Sequence, residues 1–257
     1  MINQVDELRF NRASLINVGF LLCQDDCDYI AMHDVDLLPL NLNLDYGYPE
    51  KGPYHVAAPH LHPKYHYRKF VGGILLLKRE HFKQVNGMSN KFWGWGREDD
   101  ELYLRMKQAG LIIYRPGNLT TDSETTFKHT HEKKVHPRDK IKYGDQRKEG
   151  KKLDNETGLD TVKYKEINRY DININGAPGT VINVELQCDV EVTSWCMKPE
   201  QLDEVRKSME NDHKEAEVNS VELIRQKLLK EIDVAQGVID KADSLEETVL
   251  ETKNIQT

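Results

Sequence analysis

Residues 92–101 read Phe-Trp-Gly-Trp-Gly-Arg-Glu-Asp-Asp-Glu, and no other stretch restricts the fold as much. The residues that follow, Leu102 to Lys107, predict a helix that ends at Gly110. A glycine-rich aromatic loop therefore delivers four consecutive acids to a helix start. Carboxylates are favoured there, because the first N–H groups lack partners and the helix dipole is positive. That accounts for one or two acids, not four, and it leaves Trp93 and Trp95 between glycines unexplained. Glycines that free the backbone beside large flat rings suit a loop that closes over a sugar or a base.

The chain of 257 residues is long enough for one large domain with an appendage. Its charge is unevenly placed. Residues 197–257 hold 9 Lys+Arg and 15 Asp+Glu, so they carry −6 of the net −7. The remainder is near neutral and gives no sign of a nucleic-acid binder. No apolar run is long enough to span a bilayer. Met1 to Glu7 are too polar for a secretory signal, so work in a secretory compartment would require a targeting segment that this chain has lost. Four cysteines are too scattered for a zinc ribbon. Cys188 and Cys196 lie in a turn-like segment that suits a local disulfide, whereas Cys23 and Cys27 fit either a pair or two free thiols.

Residues 8–22 predict a helix with one apolar side. Residues 28–38 predict a short buried strand stopped by Pro39, with Asp34 and Asp36 at its C-terminal end. Alternate strand residues face one way, so both carboxylates can reach one point, and ligands of open α/β sheets bind at the carboxyl ends of strands. The proline-rich stretch 39–70 predicts loops. Val71 to Leu77 predict a Gly-Gly turn entering a buried strand, 78–85 a short helix, 111–116 another strand, and 132–160 a charged, mobile surface excursion. Runs at 161–164, 170–174 and 181–186 are β-like, so the first 196 residues predict an α/β domain with an antiparallel part. Beyond 200, Val221, Ile224, Leu228, Ile232, Ala235, Ile239, Ala242, Leu245 and Val249 recur at helical spacing. They predict a solvated helix or a coiled-coil seam.

Two carboxylates aimed at one point repel unless a cation lies between them. His129 and His131 alternate in a predicted strand and face one side. One carboxylate with two imidazoles suits Mn²⁺ as well as Zn²⁺, and a diphosphate can complete the coordination. Tyr65, Tyr67 and the tryptophans suit stacking on a sugar. A metal for a leaving diphosphate, a carboxylate for the acceptor's proton and a loop that excludes water are what glycosyl transfer from a nucleotide sugar requires.

Several ordered motifs over about residues 8–196 resemble the β-1,4-galactosyltransferases. They are Phe10-Asn11-Arg12-Ala13, Asn17-Val18-Gly19-Phe20, His33-Asp34-Val35-Asp36, Val71-Gly72-Gly73 and, above all, residues 92–101. Leu61 to Tyr67 and His129-Thr130-His131 fit the branch that builds the proteoglycan glycosaminoglycan linker. The resemblance implies a GT-A (Rossmann-like) α/β domain over 1–196, partial at its N-terminus, with a charged helical extension over 197–257. It implies inverting, Mn²⁺-dependent transfer from UDP-galactose to the 4-hydroxyl of xylose on xylosylated proteoglycan core proteins. Carried over by motif, Asp36, His129 and His131 bind Mn²⁺, Asp99 is the base and Asp100 orients the acceptor. Tyr65, Tyr67 and Trp95 line the sugar site, supported by Arg97 and Glu98. Phe10, Arg12, Asp34 and Val35 touch UDP, and Gly73 lies near the galactose. A helix-start position predicts that Asp99 is ionised, with a low pKa.

Family members carry an earlier strand with a Pro-Phe-Arg motif, a stem and a membrane anchor, so the expectation is an N-terminally truncated chain. They also usually end near the counterpart of Cys196, so the tail is extra. Phe70 stands where the family often has Tyr. Residence in the Golgi lumen follows from the resemblance, and the sequons Asn118-Leu119-Thr120 and Asn155-Glu156-Thr157 agree with it. A contrasting reading is a catalytically impaired scaffold that self-associates through residues 200–250.

Overall fold

A computed structural model describes residues 1–211, 219 and 223–227. In chain order the elements are β1 (Ile2–Gln4), α1 (Arg12–Cys23), β2 (Tyr29–His33), β3 (Leu37–Pro39), β4 (Tyr54–His55), β5 (Ile74–Lys78), α2 (Arg79–Gln84), α3 (Glu98–Gln108), β6 (Phe127–His129), α4 (Gln146–Glu149), β7 (Tyr164–Ile174) and β8 (Ala177–Leu186). A short 3₁₀ turn, Ser194–Cys196, follows. The chain divides into a unit Met1–Pro199 and a unit Glu200–Thr257. In the second unit residues 201–211 and 223–227 are helical. Most of the expected apolar seam lies outside the described residues. No described helix is long and apolar enough to cross a membrane.

The first unit is mixed α/β with three small sheets, ordered β1-β8-β7, β2-β5-β4 and β3-β6. Only β1 and β8 pair in parallel. Strand β5 is the central wall. Leu75 and Leu77 face a core of Ala13, Phe20, Met32, Phe82, Leu102 and Met106, contributed largely by the helices. Ile74 and Leu76 face the opposite core of Leu37, Val56, Ala57, Leu61 and Phe127. The period-2 alternation of a strand lets one apolar run bury both faces. Burial of these four side chains contributes roughly 6–12 kcal/mol, an upper bound on an extended-chain reference.

Helix α1 begins at Arg12, not Leu8. Asn11 caps it, its side-chain oxygen accepting from Ser14 N at 3.0 Å. Arg9 leaves the helix pattern because its guanidinium is consumed elsewhere. It donates to Asp139 at 2.6 Å, Gln146 at 3.0 Å, the Trp195 carbonyl at 2.8 Å and the Ile141 carbonyl at 2.7 Å. The single strand expected over 28–38 is split: β2 stops at His33, residues 35–36 turn, and β3 includes Pro39. Residues 111–116 form no strand, only a bridge between Tyr54 and Tyr114. The β-like runs after 161 form one long hairpin closed by Asn175-Gly176, both at positive φ.

The charged stretch 132–160 is more than a surface excursion. Arg9 pins its first half. Arg105, itself buried, pins the second by donating to the Asp154 and Thr157 carbonyls, both at 2.7 Å. The same guanidinium reaches the buried Glu101 at 2.8 and 2.9 Å, and the Val85 and Asn86 carbonyls. Removing it strands a buried carboxylate and four carbonyls. Arg105→Met is expected to cost about 3–5 kcal/mol in urea denaturation. A loss below 1 kcal/mol would show that Glu101 finds another partner.

Two imidazoles depend on remaining neutral. His55 donates from Nε2 to the Gly72 carbonyl at 2.8 Å, and burial lowers its pKa to about 3. His62 Nδ1 accepts from the N–H groups of Lys64 and Tyr65, and burial lowers its pKa to about 4. Unfolding releases both to an ordinary histidine pKa, so the unfolded state binds more protons below about pH 6.5. Their stabilisation is complete above that pH and is lost as pH falls toward 4 and then 3. The unfolding free energy from urea titration is expected to drop between pH 7.5 and 5, by on the order of 2 kcal/mol per imidazole.

Candidate active site

Four acids occupy the first turn of α3 and diverge around it, because successive helical residues point about 100° apart. Asp99 receives Arg12 at 3.1 Å, with Glu98 3.9 Å from the same guanidinium. Asp100 accepts from the Tyr67 hydroxyl at 2.9 Å. Glu101 turns inward to Arg105. Arg12 also binds Asp34 at 2.8 Å, so the start of α1, the end of β2 and the start of α3 meet at one cation. Burial would lower the Arg12 pKa, but Asp34, Asp99 and Glu98 together raise it, keeping it charged.

Asp99 does not have the low pKa that a helix start implies. Burial pushes it up to about 7; Arg12 opposes this, while Glu98, Asp34 and Asp100 add to it. Desolvation and three neighbouring carboxylates outweigh the dipole and one guanidinium. Such a group is poised to accept a proton near neutrality.

Asp99 lies in a cleft of about 910 Å³. Phe10, Arg12, Asp34, Tyr65, Tyr67, Trp95, Arg97, Glu98 and Asp100 line it, as expected from the sequence. Phe70 joins them, ringed by His62, Tyr65 and Tyr67 at centroid distances of 5.0–5.5 Å. Of the residues expected to contact substrate or nucleotide, two do not line the cleft, and of the three expected metal ligands only His131 does. Val35 is 87% exposed, at the tip of the turn between β2 and β3. Gly73 is buried against Ala57, Leu37 and His62. The glycine that matters to the acid is Gly72, where an added Cβ would collide with the Asp99 carboxylate and with Phe70 at 2.7 Å.

The aromatic loop is fixed by its backbone. Gly94 N–H donates to the Phe10 carbonyl at 2.8 Å, and Trp95 N–H to the Asp139 carbonyl at 2.7 Å. The far wall comes from the stretch expected to be mobile: His136, Pro137, Arg138, Asp139, Lys140 and Lys142. Arg138 and Lys140 lie over the Trp95 ring at 5.0 and 5.4 Å, and Arg138 donates to the Tyr65 hydroxyl at 3.2 Å. Sequence reasoning missed these residues, although a run of cations directly after His-Thr-His was the available signal.

Asp36, His129 and His131 converge across the β3–β6 ladder, where Leu37 pairs with His129 and Thr130 N–H donates to the Asp36 carbonyl at 2.7 Å. One Asp36 oxygen lies 3.5 Å from His129 Nε2 and 3.4 Å from His131 Nδ1. His131 follows the strand and does not lie in it. The three do not form a closed metal cage. Arg138 stands 3.6 Å from the same Asp36 oxygen, and Lys64 Nζ stands 2.8 Å from His129 Nδ1. Even so, the donor set fits a divalent cation. His131 Nε2 is buried without a partner, and burial lowers the His129 pKa, which favours the neutral ligating form. His131→Ala is expected to weaken Mn²⁺ binding by roughly tenfold or more in calorimetric titration. An unchanged titration would remove it from the ligand set.

The disulfide Cys188–Cys196 is formed, with a Cα–Cα distance of 6.4 Å, while Cys23 and Cys27 are free thiols. The bridge sits beside Trp195, whose carbonyl receives Arg9 and whose Nε1 donates to the Lys91 carbonyl at 2.8 Å.

The chain is similar to known proteins. Residues 1–48 match the N-terminal region of glycosyl transferase group 7, and residues 52–130 the N-terminal domain of galactosyltransferase. The chain is 57% identical over 197 residues to β-1,4-galactosyltransferase 7 of Mus musculus, covering 77% of this chain and 60% of that relative. It is 47% identical over 204 residues to the xylosylprotein 4-β-galactosyltransferase of Caenorhabditis elegans, covering 76% and 69%. The chain thus spans about 60% of the length of the mammalian relatives it matches. Among solved structures, the catalytic domain of Drosophila β-1,4-galactosyltransferase 7 in complex with xylobiose superposes with a TM-score of 0.75. It shares 56% identity, over 76% of this chain and 83% of that one. A mutant of the Drosophila enzyme in complex with manganese, UDP-Gal and xylobiose gives the same TM-score at 55% identity, over 77% and 84%.

Proposed function

The chain belongs to the β-1,4-galactosyltransferase family, and from that premise we infer that it transfers galactose from UDP-galactose to the 4-hydroxyl of xylose, with inversion. The observation that carries this reading is Asp99. A carboxyl poised near pH 7 lies in a cleft lined by Tyr65, Tyr67 and Trp95. The acceptor sugar stacks on these rings, and Asp100, held by Tyr67, orients its hydroxyls. Asp99 takes the proton of the attacking hydroxyl. The acceptor oxygen bonds to the galactose anomeric carbon from the face opposite the diphosphate, and the departing bond's electron pair leaves with UDP. One displacement needs one base and no enzyme nucleophile, so configuration inverts. Asp36, His129 and His131 would hold Mn²⁺, which supplies neutralisation of the diphosphate charge. Arg12, Asp34 and Phe10 face the nucleotide, and Trp95 excludes water.

The natural acceptors on this reading are xylosylated proteoglycan core proteins, modified in the Golgi lumen. The disulfide supports an oxidising compartment, and both sequon asparagines, Asn118 and Asn155, are exposed.

The test is galactose transfer from UDP-galactose to a simple β-xyloside, with Mn²⁺ and with chelator. Metal-dependent product is expected; its absence, with UDP binding intact, would sink the assignment. Asp99→Asn is expected to lower kcat by 10²–10⁴, roughly the worth of a general base, while Mn²⁺-dependent UDP binding persists. The base acts deprotonated and its pKa is about 7, so kcat/KM should rise with pH through about 7. Arg12→Ala removes the main cation opposing protonation and should move that limb to higher pH.

A further inference from the structure

A second hollow, of about 460 Å³, adjoins the catalytic cleft, and Gly96, Arg97 and Lys142 line both. One side is Phe92 and Ser89; the other is α4 and the chain after it, up to Glu156. Its charge is lopsided. Six cations line it against three acids, Glu149, Asp154 and Glu156. The acids are already matched: Lys91 pairs with Asp154 at 3.5 Å and Glu156 at 2.5 Å, and Lys152 with Glu149 at 2.6 Å. Lys142 Nζ donates to the Trp95 carbonyl at 2.8 Å, tying this hollow to the aromatic loop. Arg97, Arg147 and Lys151 have no ion-pair partner among the described residues, and all three are exposed. The mechanism uses neither Arg147 nor Lys151.

We propose that this hollow receives acidic side chains of the polypeptide that carries the acceptor sugar. The proposal rests on the preceding reading of the acceptor. The sugar presents its 4-hydroxyl to Asp99, so its other end and the attached chain must leave the cleft. Gly96 and Arg97 line the cleft and also the hollow that holds the unmatched cations. A polypeptide is the partner because, when this galactose is added, no longer glycan yet exists on the xylose. Cations at a rim act by steering and by weak pairing, so the effect falls on KM and is salt-sensitive.

The experiment compares two xylosylated peptides of equal length, one with Glu on both sides of the sugar-bearing Ser and one with Gln, together with methyl β-xyloside. The Glu peptide is expected to show a KM roughly three- to tenfold lower than the Gln peptide at low salt. Arg147→Gln with Lys151→Gln should erase the difference, leaving kcat and methyl xyloside turnover unchanged. Asn155, at the rim, carries a sequon, and Asn155→Gln separates any glycan effect from peptide binding. Equal KM for the two peptides, or a preference that survives the double substitution, overturns the proposal. A sulfated oligosaccharide that competes better than the Glu peptide, and loses affinity in the double variant, overturns the assignment to a polypeptide. Fluorescence anisotropy of the same peptides without donor reads the preference independently of turnover. Failed transfer therefore counts against the catalytic reading, and the anisotropy alone then decides this one.

Discussion

Four consecutive carboxylates in one helical turn repel each other, and the structure around α3 is arranged to satisfy them one by one. The turn aims each in its own direction, so each has a different environment: Arg12 for Glu98 and Asp99, the Tyr67 hydroxyl for Asp100, Arg105 for Glu101. The inward acid becomes a structural anchor. The outward acids become the floor of the cleft. Because Arg12 is shared with Asp34, the end of β2 is brought to the same point, and the β3–β6 ladder beyond it carries the candidate metal ligands. Asp99 is thus left half-buried among acids with part of one guanidinium, and its pKa rises.

Two arginines explain how a hydrophilic stretch becomes a wall of the cleft. Residues 132–160 contribute little apolar surface, so hydrophobic burial cannot hold them. Arg9 and Arg105 instead bind the Ile141, Asp154 and Thr157 carbonyls and the Asp139 and Gln146 side chains there, which satisfies polar groups of the loop and sets its path. The position of Arg138 and Lys140 over Trp95 follows from that anchoring.

Much of this was legible in the sequence, and the reasons for the rest are physical. Strand β5 was readable because its apolar run is buried on both faces, and α3 because acids and Gly110 mark its ends. The resemblance singled out Asp36, His129 and His131 as a set, and the geometry brings the three together. The Cys188–Cys196 bridge was legible from spacing alone. Motif membership alone says nothing about where a residue points, and Val35 and Gly73 stand outside the cleft lining. Gly72 was overlooked for the same reason. The wall at 136–142 was hidden because its order comes from hydrogen bonds across more than a hundred residues, which leave no periodic signal. The pKa of Asp99 was misjudged because a dipole is local, whereas desolvation depends on the whole cleft.

The pairing of β1 with β8 carries a consequence for biosynthesis. Ile2, Asn3 and Gln4 lie in parallel register with Ile182, Asn183 and Val184. At typical translation speeds, a strand of that kind waits on the order of ten to forty seconds before its partner emerges from the ribosome. During that interval its unpaired edge is exposed, and the carbonyls that Arg9 will bind have not all been made. Strand β8 therefore closes β1 only after the intervening chain has been made.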